Sequence, residues 1–173
     1  MTSSPEIRIT GGCQCGAVRY ALHAQPDNPH ICHCRMCQKA FGSFFAPLTG
    51  VPLTAFELTR GALSIFKSSD PTERGFCANC GTPLTIHDVD SLRIAVSIGS
   101  LDRPENVPPL KQYGIEGRLS WFATLPSLPG DKTTEADNPE LAAKIAASNH
   151  QHPDHDTAEW RPVTGGSRWP TSE

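Results

Sequence analysis

The stretch Cys32-His33-Cys34-Arg35-Met36-Cys37 places three thiols almost side by side, and the reading of the whole chain turns on them. Structural zinc takes four tetrahedral protein ligands, whereas zinc that does chemistry takes three and keeps one exchangeable position. A Cys-x-Cys-x-x-Cys cluster with no fourth cysteine nearby therefore points to an open metal. The remaining cysteines form two pairs, Cys13-Gln14-Cys15 and Cys77-Ala78-Asn79-Cys80, which together supply the four sulfurs of a closed structural zinc. The 7 cysteines divide as four plus three, so two Zn2+ ions per chain are expected.

Each motif has a plainer alternative. The three-cysteine cluster becomes a second structural site if a histidine closes it, either His33 or a distant His23, His30 or His87. His33 is sterically awkward in that role, wedged between two other ligands. Cys77 and Cys80 read alone suggest a redox pair, but Gly81-Thr82 follows them where a thiol-tuning helix would have to start. His150, His152, Asp154, His155 and Asp156 read as a solvated tail without a scaffold to orient them as ligands.

Composition narrows the class. A chain of 173 residues with 16 prolines and 14 glycines suits one compact domain of short strands and many turns, and it disfavours a helical bundle. A net charge of −3 gives no general attraction to nucleic acid or anionic membranes. Met1 to Glu6 lack the charge and apolar run of a secretory signal, and no apolar stretch reaches bilayer length. A soluble cytoplasmic protein is expected, where C-x-C and C-x-x-C spacings mark metal ligands more often than disulfides.

Taken in order, Ile7 to Thr10 and Ala17 to Leu22 alternate like strands, with Cys13 and Cys15 on the turn between them. Gln25 to Pro29 reads as a loop, and Arg35 to Phe41 as a short helix ended by Gly42. That helix places its first N–H groups beside the thiols. Further strands are expected within 43–48, 53–58 and 61–66, then at Pro83 to His87 and Leu92 to Ile98. Gly130 to Thr134 is a polar linker, Asn138-Pro139 starts a last helix, and the chain beyond Asn149 is a mobile or surface-hugging tail. Residues 1–128 thus form the domain and 129–173 its appendage.

Four motifs, Gly11 to Tyr20, Cys32 to Cys37, Phe76 to Leu84 and Gly99-Ser100-Leu101-Asp102, together resemble the glutathione-dependent formaldehyde-activating enzyme family, which includes centromere protein V. Arg118 and Trp121 match its terminal Arg-x-x-Trp feature. The resemblance covers about residues 7–128 and implies a mainly β, zinc-binding β-tent of short antiparallel sheets, here followed by a short C-terminal helix and tail. It implies that Cys13, Cys15, Cys77 and Cys80 hold a structural zinc, and Cys32, Cys34 and Cys37 the catalytic one. The expected activity is that of a carbon-sulfur lyase on S-hydroxyalkyl thiol adducts, from glutathione and formaldehyde or a related pair. Lys39 and Arg118 are candidates to meet substrate carboxylates. The rival reading is a non-catalytic, zinc-stabilised protein-binding module.

Overall fold

The structure is a computed structural model that describes residues 7–131 and 137–162. Met1 to Glu6, most of the expected linker and the end of the tail lie outside the described residues. In chain order the strands are β1 (Ile9–Gly12), β2 (Arg19–Leu22), β3 (Asp27–Cys32), β4 (Ala46–Pro52), β5 (Phe56–Arg60), β6 (Ser64–Lys67), β7 (Thr72–Phe76), β8 (Pro83–Asp88), β9 (Arg93–Ser97) and β10 (Lys111–Tyr113). Helix α1 (Arg35–Phe41) follows β3, and helix α2 (Pro139–Ala147) lies near the C-terminus. Short 3-10 turns fill much of the rest.

The strands make two sheets, a three-stranded one in the order β1-β2-β5 and a seven-stranded one in the order β10-β3-β4-β9-β8-β7-β6. The fold is therefore mainly β, as expected, with one departure: β10 runs parallel to β3, whereas the other pairs are antiparallel. A parallel neighbour needs a long return path, and residues 33–110 supply it. The pairing seats Tyr113 opposite Cys32, and the His33 N–H donates to the Tyr113 carbonyl at 2.9 Å.

The expected loop at Gln25 to Pro29 is another correction, because β3 already begins at Asp27. Proline lacks a ladder donor and is tolerated in a sheet at a bulge. The register slips between Asp27 and His30, with Asn28 at φ 47°, so Pro29 lies in that irregularity. The Pro29 carbonyl still accepts from Leu110 at 2.8 Å. Helix α1 spans the residues read from sequence, and Gly42 caps it in the left-handed conformation. Asn138 caps α2 through its side chain, with Pro139 in the first turn.

The main core lies between the sheets and contains Val18, Tyr20, Leu22, Val51, Leu84, Ile94, Val96 and Leu101, together with the thiols of Cys13 and Cys77. Tyr20, Leu22 and Leu84 are wholly buried, and each such side chain contributes about 1.5–3 kcal/mol by leaving water. A smaller core holds Cys37, Ala46 and Leu48, with Cys32, Cys34 and Phe41 against it. Each cysteine set thus belongs to its own packing unit.

Beside the main core, Arg19 is buried in an ion network. Its Nη1 and Nη2 donate to Asp102 at 2.8 and 2.5 Å, while Nε and Nη2 donate to Asp156 at 3.0 and 2.8 Å. Asp156 also pairs with Arg8 at 2.7 Å, which ties the tail to the first strand's approach. Of the tail residues expected to be solvated, Asp156 and His152 are held by the body of the protein, whereas His150, Asp154 and His155 are exposed. His152 donates its backbone N–H to the Gln14 carbonyl at 2.7 Å, and Trp160 donates its indole N–H to the Cys15 carbonyl at 2.7 Å. Contacts at His152, Asp156, Thr157 and Trp160 hold this part of the tail against the body of the protein.

Asp102→Ala removes the more buried partner of Arg19 but leaves it paired with Asp156, so the loss in urea unfolding should stay below the about 3–5 kcal/mol of a wholly unpaired buried charge. Although burial opposes ionisation, bonds from Arg19 and Thr10 hold the Asp102 carboxyl below the usual carboxylate range. Its contribution is complete above the unfolded value of about 3.9 and is lost as pH falls through the lower folded one. Wild type should lose stability over that acid window, and Asp102→Ala should show a flatter profile there.

Candidate metal centres

Two knuckles of similar design build the first centre. After β1 the Cys13 N–H donates to the Val18 carbonyl at 3.0 Å, the Gly16 N–H returns to Cys13 at 3.0 Å, and Gly16 has φ 76°. After β7 the Cys77 N–H donates to Thr82 at 3.0 Å, the Gly81 N–H returns to Cys77 at 2.9 Å, and Gly81 has φ 75°. Glycine accepts this left-handed turn without strain, which lets the backbone curl round its own thiols. The first knuckle belongs to the three-stranded sheet and the second to the seven-stranded one, so the four thiols join the sheets.

The Sγ atoms of Cys13, Cys15, Cys77 and Cys80 all lie within 4.8 Å of one another. Cys13 and Cys15 are 3.7 Å apart, and Cys15 and Cys77 3.9 Å. Four sulfurs about 2.3 Å from a tetrahedral zinc stand about 3.8 Å apart, so the set fits that ion. Burial pushes the Cys13 thiol up to about 12 and raises Cys15. Against the same desolvation, the Thr82 hydroxyl and N–H bring Cys80 down to about 6. Thiols this crowded need a cation before all four can ionise.

The second centre forms where β3 runs into α1. Cys32 ends the strand, Cys34 caps the helix by accepting the Cys37 N–H at 3.4 Å, and Cys37 is buried on the first turn. Their three Sγ atoms lie within 4.8 Å of one another, and no fourth His, Cys, Asp or Glu among the described residues joins the group. Burial raises Cys32 to about 12 and also raises Cys37. Cys34 is lowered despite its own desolvation, by the Cys37 N–H, the neighbouring thiols and the charge of Arg74. The donor set fits a soft cation that keeps a coordination position free of protein.

None of the histidines named as possible closing ligands joins the three thiols, although His33 Nδ1 is buried without a partner among the described residues. His33 is wholly buried against Phe45 and Phe122, with Nε2 3.0 Å from Gln112 Oε1. His23 bonds Glu57, His30 bonds the Asn28 carbonyl, and His87 bonds the Ser91 carbonyl. Gly114, at φ 62°, presses on Cys34 so closely that an added Cβ would stand 2.8 Å from its nitrogen. The segment after β10 therefore fixes the backbone of the cluster. Lys39 is exposed on α1, and Arg118 is exposed beyond Gly117, whose carbonyl accepts from Gln38 at 3.0 Å. Among the described residues neither cation forms an ion pair.

Arg74 belongs to the second centre, although nothing in its local sequence marks it. It is 8% exposed, and its Nη2 approaches Cys37 Sγ at 3.6 Å while Nε donates to Ser68 at 3.1 Å. Nη1 is buried without an acceptor among the described residues. Only the register of β7 against β8 brings this side chain to the cluster, far in sequence from Cys37. A buried donor left unpaired costs about 1–3 kcal/mol, so the position is retained at a cost.

The profile of one family, glutathione-dependent formaldehyde-activating enzyme, matches residues 8–115, a span that contains all seven cysteines. The chain belongs to that family. Two curated proteins named for the same family are similar to it. One, from Halomonas elongata, is 31% identical over 90 residues, covering 46% of this chain and 56% of that protein. The other, from Emericella nidulans, is 32% identical over 76 residues, covering 42% of this chain and 39% of that protein. The chain therefore matches only about half or less of these relatives' length. A crystal structure of a Rhodobacter sphaeroides protein shares 22% identity at a TM-score of 0.49, covering 60% of this chain and 98% of that one. No helix among the described residues is long and apolar enough to cross a membrane.

The two centres should respond differently to loss of a thiol. Cys80→Ser opens the joint between the sheets and should unfold most of the chain, whereas Cys34→Ser should leave the fold and lose only the cluster ion. Circular dichroism with metal analysis checks both, and equal unfolding would remove the distinction. Arg74→Met should weaken cluster metal affinity by about 10- to 100-fold, as loss of groups behind the ligands typically does. Competition with a chromophoric chelator measures it, and the sulfur-only centre should keep its ion.

Proposed function

We propose that the chain is a zinc-dependent carbon-sulfur lyase that joins or splits a small thiol and an aldehyde, glutathione and formaldehyde being the first pair to consider. The single observation that carries this reading is the three-thiol cluster, with no fourth protein ligand among the described residues. Membership of the family and the names of the two relatives support the same chemistry. The reading assigns residues 1–128 to the catalytic unit and 129–173 to a linker, helix and tail, in a soluble cytoplasmic protein.

In the joining direction the thiol sulfur bonds to the carbonyl carbon, the carbonyl π pair moves to oxygen, and the proton lost from sulfur ends on that oxygen as a hydroxyl. Splitting reverses each move. A zinc ion held by Cys32, Cys34 and Cys37 supplies a thiol-binding position and a Lewis acid. The Cys37 N–H donates to Cys34 Sγ and the Arg74 guanidinium lies against Cys37 Sγ, where both would stabilise the thiolates once an ion is bound. Lys39 and Arg118 are assigned to the substrate carboxylates, where exposed cations can pair without a buried penalty.

Zinc-loaded protein should speed the approach to equilibrium of formaldehyde with glutathione, followed by NMR of the adduct. Metal-free protein and free zinc serve as controls, and Cys34→Ser should lose about 100-fold or more of the rate enhancement. Glutathione should also perturb the visible spectrum of the cobalt-substituted cluster. If no thiol from a panel of low-molecular-weight thiols changes that spectrum, the lyase reading gives way to a zinc-stabilised protein-binding module.

A further inference from the structure

A cavity of about 300 Å3 lies beside the second centre. Phe41, Phe66, Phe76 and Pro83 give it mostly apolar walls, Ala40 of α1 contributes to its rim, and Arg74 is its charged residue. Arg74 is common to both places, since its guanidinium also touches Cys37. Ala40 and Phe41 follow Cys37 on the same short helix. Arg74 and the end of α1 thus stand between cavity and cluster; none of the three cysteines lines the cavity itself, and Gly81, beside Cys80, lines it too. Phe66 stands 62% exposed there, a large apolar ring left in water.

We infer that this cavity holds the substituent of an aldehyde substrate, and that the chain acts on aldehydes carrying an aryl or branched alkyl group. The inference rests on the lyase reading. Size decides against formaldehyde as the sole occupant: one water takes about 30 Å3 of liquid, and formaldehyde adds a single heavy atom. The cavity reaches the volume at which pockets begin to enclose organic ligands, about 300 Å3. Its walls would leave water on binding, whereas glutathione, with two carboxylates and two amides, has little to gain against three phenylalanines.

Polarity sets the orientation. Three thiolates around a divalent ion leave one negative charge, which the guanidinium balances, so the cavity's need is a neutral acceptor and not a second anion. A carbonyl or hydroxyl oxygen directed to the Arg74 end, the one charged place in the lining, supplies one. With the oxygen at the Arg74 end, the carbonyl carbon would lie on the side of the cavity nearest the cluster, and the apolar substituent among the phenylalanines. Arg74 acts here as a positioning residue.

Benzyl alcohol, which has the ring and oxygen of benzaldehyde but cannot accept a thiol, tests occupancy without turnover. In zinc-loaded, isotope-labelled full-length protein it should shift the amide signals of Phe66, Gly75 and Phe76. Phe66→Ala, at an exposed position that leaves folding intact, and Ala40→Trp, which blocks the rim, should each weaken its binding by about ten-fold. In parallel, the rate enhancement for benzaldehyde with glutathione should exceed that for formaldehyde, and both variants should reduce it.

If benzyl alcohol shifts none of these amides, or binds both variants as well as wild type, the cavity assignment is wrong while formaldehyde turnover leaves the lyase reading standing. If benzyl alcohol binds as described and no aldehyde is turned over with any thiol, the lyase reading falls and takes this inference with it.

Discussion

Four thiols drawn from two sheets and held within 4.8 Å of each other are unstable company without a cation. Buried sulfur resists ionisation, and ionised sulfur resists its neighbours, so this part of the joint between the sheets calls for positive charge at its centre. The hydrophobic core is arranged to depend on it. Cys13 and Cys77 pack in the same cluster as Tyr20, Leu22 and Leu84, so two of the thiols that could hold an ion are also core residues. Closing so long a loop is tolerable because closure entropy rises only slowly with length. The second set has no such burden, since its packing unit is small and comes from one strand end and one helix.

The tail and the buried arginine form a second dependency. Arg19 has its donors divided between Asp102, at the end of the Gly99 to Asp102 motif, and Asp156 in the tail. Tyr20, the next residue, bonds the Ser100 hydroxyl at 2.8 Å. The Gly-Ser-Leu-Asp motif that helped identify the family therefore works as a fastener, pinning the three-stranded sheet to the end of β9. It has no contact with the thiols of the second centre.

Much of this was legible from spacing alone. Cysteine patterns separated the two centres, and Gly42 and Asn138 marked helix ends because caps are local chemistry. What stayed hidden was long-range. Pro29 argued for a loop, yet a bulge absorbed its missing N–H, and β10 gave no sign that it would pair in parallel with β3. Arg74 sits among ordinary strand residues, and only the register that carries β7 past the cluster shows its purpose. Asp156 and His152 looked like part of a solvated run because their partners, Arg19 for the one and Gln14 and Arg60 for the other, lie far away in the sequence.

The docking of Trp160 and His152 onto the first knuckle has a consequence for the order in which the chain is made. Every ligand of the sulfur-only centre lies before residue 81, whereas the segment that covers its outer face comes after residue 149. A chain emerging from the ribosome presents the complete ligand set well before its cover exists. An ion bound there would find its four thiols before the covering segment is made, so that loading and closure would be separated in time by the direction of synthesis itself.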